Sequence, residues 1–119
     1  MGLVLWIDQN TFATSLIERA FKKKSQPFYT LASVDDFAYI VEDLSPSLIV
    51  LDGETYDKNP ASFLKQYEGS VKMQDLPFII LEPKSDFGFI KKKIGELKKP
   101  LDPFRLADQL TAILSGVYN

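Results

Sequence analysis

Apolar positions along the chain alternate between short unbroken runs and longer stretches with helical spacing. Leu3-Val4-Leu5-Trp6-Ile7 is unbroken, the pattern of a strand buried on both faces. Phe12, Leu16, Ile17, Ala20 and Phe21 then recur at helical spacing. Asn10 or Thr11 can cap that helix, and Lys22, Lys23 and Lys24 close it where cations suit its dipole. Pro27 to Leu31 reads as a weaker strand at a sheet edge, because Pro27 cannot donate to a ladder. Ser33 followed by Asp36 has the form of a capping box, opening a helix through Phe37, Ile40, Val41 and Leu44 that Ser45-Pro46 stops.

Leu48-Ile49-Val50-Leu51 is the second strong strand and ends on Asp52. Asn59-Pro60 reads as N-cap and first residue of a helix carrying Phe63, Leu64 and Tyr67 as far as Gly69. Phe78 to Leu81 is the third strong strand. Between Pro83 and Gly95 there is room for little more than two helical turns, with Phe89, Ile90 and Ile94 as the apolar face. Leu97 falls in a short last strand, and Asp102-Pro103 caps a final helix from Phe104 to Leu114 that Gly116 ends.

Serial strand–helix units imply an α/β fold, a doubly wound parallel sheet with helices on both faces. Ligands in such folds bind beyond the carboxyl ends of the strands. Asp8, Asp52 and Glu82 lie at those ends, and Lys99 follows the last strand.

Composition then narrows the chemistry. With 119 residues, 45% apolar and 25% charged, residues 1–119 make one folded domain, standing alone or cut from a longer chain. Fourteen basic and sixteen acidic side chains give a net charge of −2, which leaves no general basic surface for nucleic acid or anionic lipid. The absence of Cys and His removes disulfides, thiolate zinc sites, the commonest general base and any Ser-His triad. The first apolar run is too short for a membrane span or signal-peptide core, so a soluble cytoplasmic protein is expected. Lys91, Lys92 and Lys93 read as a solvated helix face, and Trp6 as core.

Three carboxylates and one lysine at one sheet edge suit a hard divalent ion such as Mg²⁺. A central carboxylate there can attack a phosphoryl group while metal and lysine neutralise its oxygens.

These strand-end residues resemble the receiver domain of two-component response regulators over essentially the whole chain. The resemblance is carried by Leu5-Trp6-Ile7-Asp8-Gln9, Pro46 to Asp52, Leu76 to Leu81, and Leu97-Lys98-Lys99-Pro100-Leu101-Asp102-Pro103. It implies a flavodoxin-like sheet of five strands in the order 2-1-3-4-5. It further implies that Asp52 accepts the phosphoryl group, that Asp8 helps to organise Mg²⁺, that Lys99 holds the phosphoryl oxygens, and that Lys99-Pro100 is cis.

The chain also departs from the family pattern. Gln9 stands where a second acid is expected and would offer Mg²⁺ only a neutral amide oxygen, and Glu54, beyond Asp52, is a candidate substitute metal carboxylate. Glu82 replaces the hydroxyl that reports phosphorylation, and is expected to pair with Lys99. Glu96 replaces the switch aromatic, and the fourth helix is shortened. The resemblance therefore implies a pseudo-receiver: a signalling module of a phosphorelay that binds Mg²⁺ weakly and is no enzyme beyond self-phosphorylation and self-dephosphorylation at Asp52. It would act through protein contact on the face of the fourth helix, fifth strand and fifth helix, with Lys91, Lys92, Lys93, Lys98, Phe104 and Arg105 exposed. A histidine kinase, an output domain or a second copy would be the partner. The alternative keeps the chemistry, with Asp52 taking phosphate from a histidine kinase. Flavin binding is the weak third reading, since Gln9 to Thr14 contains no glycine to admit a phosphate.

Overall fold

The computed structural model describes residues 1–116. Five strands form one parallel sheet: β1 (Val4–Ile7), β2 (Phe28–Leu31), β3 (Leu48–Asp52), β4 (Phe78–Leu81) and β5 (Lys93–Leu97), in the order β2-β1-β3-β4-β5. Six helices accompany them: α1 (Thr11–Lys23), α2 (Phe37–Leu44), α3 (Gly53–Lys58), α4 (Pro60–Glu68), α5 (Val71–Gln74) and α6 (Pro103–Leu114). The unbroken apolar runs form the central strands, whose residues are buried throughout because helices cover both faces.

Alternation along each strand divides the core into two layers. Val4, Trp6, Leu48 and Val50 pack with Ile17 and Phe21 of α1 and with Leu106 and Leu110 of α6. Leu5, Ile7, Ile49 and Leu51 pack on the other side with Phe37, Phe63, Tyr67 and Met73. Asn10 caps α1, Asn59 caps α4 and Asp102 caps α6, each side chain accepting from a backbone N–H.

Three local expectations are corrected. No capping box opens α2: Asp36 sits at φ 59° with no side-chain cap, and the Ser33 hydroxyl accepts instead from the N–H of Asp35. Two further helices, α3 and α5, fill the stretches on either side of α4. The shortened helix expected between β4 and β5 does not form, because residues 82–92 run as bends and turns.

Phe89, Ile90 and Ile94 satisfy helical spacing, yet Ile90 is buried, and Phe89 and Ile94 half-buried, without a helix. Phe87 and Ile90 enter the aromatic layer, where Tyr56 meets Phe87 at a ring separation of 4.7 Å. The Lys91 N–H donates to the Tyr67 hydroxyl at 2.9 Å, and the Ser85 hydroxyl donates to Asp57 at 2.8 Å. Ile94 lies in β5, at a break in register where Phe78 pairs with Lys93 but Ile79 with Gly95. Lys93, expected on a helix, is thus the first residue of the edge strand.

Candidate functional site

The carboxyl ends of β1, β3 and β5 bring Asp8, Asp52 and Lys99 together. Lys99 Nζ lies 2.9 Å from Asp52 Oδ1 and 3.6 Å from Asp8 Oδ2. Both carboxylates are almost wholly buried, at 2% and 1% exposure, whereas the lysine side chain retains 34%. The Lys99–Pro100 peptide is cis.

Asp52 is the last residue of β3 and the N-cap of α3. Its Oδ2 accepts from the Thr55 N–H at 3.0 Å and the Thr55 hydroxyl at 2.7 Å. Oδ1 takes the lysine ammonium. Both oxygens are therefore engaged, one by a charge-assisted bond. The Thr55 oxygen in turn accepts the Gln9 N–H at 2.8 Å, which ties the end of β1 to the start of α3. Asp8 Oδ1 accepts from the Asn10 N–H at 3.0 Å.

Burial raises the pKa of Asp8 above the ordinary carboxylate value, against the Asn10 N–H; the Asp52 charge adds to the rise, while Lys99 opposes it. Burial works against the Lys99 ammonium, but the hydrogen bond to Asp52 and the charges of Asp8 and Asp52 outweigh it and raise its pKa. Two buried carboxylates thus share one ammonium. The indole N–H of Trp6 is the one buried side-chain polar atom among the described residues with no hydrogen-bond partner.

Glu82 does not pair with the Lys99 ammonium, contrary to expectation. Its Oε1 accepts from the Lys99 backbone N–H at 2.6 Å, and its own N–H donates to the Leu97 carbonyl at 2.8 Å. Glu82 thus fastens the exit of β4 to the exit of β5. It does so at φ 45°, in the left-handed region that a non-glycine residue enters at a cost. Gly53 makes room for this bend: a Cβ there would lie 2.5 Å from the Glu82 carbonyl oxygen.

The other candidates are dispersed. Gln9 is half-buried beside the cluster and joins it through its backbone. Glu54 is exposed in the first turn of α3. Glu96 is exposed and pairs with Lys93. Lys91, Lys92, Lys98 and Arg105 are exposed, and Lys92 reaches Asp75 at 3.5 Å. Phe104 is 70% exposed. This face is built from the 82–92 segment, β5 and α6, with no helix between β4 and β5.

Thr55 belongs to the site without standing among the residues that the strand-end pattern singles out. Its signal is an N-cap pattern, an Asp followed three positions later by a residue whose N–H and hydroxyl can both reach it.

A divalent ion fits the cluster poorly. Asp8 and Asp52 supply two carboxylates, but the ammonium of Lys99 stands against both. Among the described residues no group of three His, Cys, Asp or Glu side chains is placed to hold a metal. Likewise no described helix is long and apolar enough to cross a membrane.

Neither a protein-family model nor a curated protein sequence matches the chain. Solved structures do. A response regulator from Desulfuromonas acetoxidans matches with TM-score 0.78 and 13% identity, over 99% of this chain and 100% of that one. The chemotaxis protein CheY4 of Vibrio cholerae matches with TM-score 0.75 and 17% identity, over 95% and 98%. A CheY-like receiver domain protein of Methanospirillum hungatei matches with TM-score 0.74 and 13% identity, over 98% and 95%. The chain has the flavodoxin-like fold of response-regulator receiver domains.

Proposed function

We propose that the chain is a receiver-type signalling module of a phosphorelay that acts by protein contact, with its phosphoacceptor position closed. One observation carries this reading: both oxygens of Asp52 are already engaged, by Lys99 and by Thr55. Oδ2 is taken up by Thr55, and Oδ1 is bonded to the lysine that an incoming phosphoryl group would need, so that part-buried bond would have to open for phosphate to enter. Glu82 adds a carboxylate beside the site where a phosphoryl group would bring further negative charge.

The partner face is formed by β5 and α6, with Lys98, Phe104 and Arg105 exposed and a histidine kinase, an output domain or a second copy as partner. Mg²⁺ binds weakly at Asp8 and Asp52, because only two carboxylates converge and a lysine competes. The module works in the cytoplasm and has no catalytic turnover of its own.

A second reading draws on the convergence of Asp8, Asp52 and Lys99, which would serve a phosphorylatable receiver taking phosphate on Asp52. Acetyl phosphate with Mg²⁺ separates the two. Intact-mass spectrometry should show the unmodified chain under conditions that modify an ordinary receiver. A stoichiometric phosphoryl adduct that Asp52→Asn abolishes would establish the second reading.

A further inference from the structure

Away from the Asp52 cluster, a groove of about 570 Å³ lies between α1 and the start of α6, lined by Leu16, Arg19, Ala20, Lys23, Pro103 and Phe104. Its size falls in the range of small-ligand sites. Leu16 and Pro103 also line a separate cavity of about 260 Å³, which reaches Asp8 and Lys99 of the cluster and forms no part of this groove.

We propose that this groove binds a small amphiphilic acid, an apolar chain ending in a carboxylate or comparable anion. Two independent features set the chemistry. Leu16 and Phe104 stay exposed at 39% and 70%. These are apolar surfaces that a hydrocarbon chain would remove from water. Arg19 and Lys23 stand one turn apart on α1, line the groove, and make no ion pair among the described residues. No carboxylate lines the same groove; the nearby Asp108 is held by Lys24 at 3.2 Å. The anionic head binds between Arg19 and Lys23, and the chain lies over Leu16, Pro103 and Phe104.

Sodium decanoate, kept below its micellar range, is the probe, and amide shifts of the full chain are the readout. Saturable shifts confined to α1 and to Pro103 and Phe104 are expected. Decylammonium, with the same chain and the opposite head, should produce none. Arg19→Glu with Lys23→Glu should weaken decanoate binding at least about tenfold, the loss of one charge-assisted contact. Phe104→Ser should weaken it with no change in the Asp52 cluster. Equal binding of both head groups would overturn the proposal, as would absence of saturation. Sedimentation with vesicles of phosphatidylglycerol but no response to free decanoate would assign the groove to a membrane surface instead. A dimer in sedimentation velocity that Phe104→Ser dissociates would assign it to a second copy. Either result would contradict the proposal.

Discussion

The Thr55 hydroxyl donates to Asp52 Oδ2 at 2.7 Å while accepting the Gln9 N–H at 2.8 Å. One side chain thus bonds Asp52 and anchors the loop after β1. The remaining oxygen is bonded by Lys99, so under the proposed function the structure that caps α3 also closes the site.

Removing the ammonium exposes how much the cluster depends on it. Lys99→Met leaves Asp8 and Asp52 without a cation, and stripping one partner from a buried pair typically costs about 3–5 kcal/mol. Lys99 is 34% exposed, so the expected loss is smaller, roughly 2 kcal/mol by urea unfolding. Adding Asp52→Asn should recover part of it. Costs that sum within about 0.5 kcal/mol would mean that the two residues are not coupled.

Glu82 separates backbone strain from side-chain capping. Glu82→Gln keeps the acceptor for the Lys99 N–H and should stay near wild-type stability. Glu82→Ala loses that acceptor and keeps the left-handed backbone, for a loss of about 1–2 kcal/mol. Glu82→Gly should be less costly than alanine, because glycine enters φ 45° freely. If alanine proves as stable as glycine, the strain at this position is negligible.

The raised pKa of Asp8 fixes the sign of a pH effect. The folded chain holds that proton more tightly than the unfolded chain does. Stability from this group is therefore full below the ordinary carboxylate pKa and is lost as pH rises through the folded value. Asp8→Asn should gain stability over wild type at pH 7, and the gain should vanish near pH 3. Chemical denaturation at both values tests this; a variant less stable than wild type at pH 7 alone would reverse the sign.

Much of this architecture is legible in the order of the amino acids. Unbroken apolar runs of four or five residues that end at polar positions suit strands covered on both faces, and their ends place Asp8 and Asp52 at one sheet edge. Lys99 joins them because β5 ends there too. The 82–92 segment misleads because Phe89, Ile90 and Ile94 meet helical spacing; an aromatic layer around Tyr56 and Tyr67 packs against Phe89 and Ile90 without a helix. The role of Glu82 is hidden for another reason. A carboxylate beside a lysine reads as an ion pair, whereas the left-handed turn aims Glu82 at the lysine's backbone. Thr55 is concealed because Asp52 reads as a reactive group, although the same carboxylate is also a helix cap.

The closed state of Asp52 is tested most directly by an amide shift map with beryllofluoride and Mg²⁺, a phosphoryl mimic that needs a free aspartate oxygen. The hydrogen bonds from Thr55 and Lys99, with Glu82 in place of a reporting hydroxyl, predict that Lys93 to Leu114 keep their shifts. Saturating shifts at Asp52 that spread through β5 and α6 would contradict the account and establish an ordinary phosphoswitch.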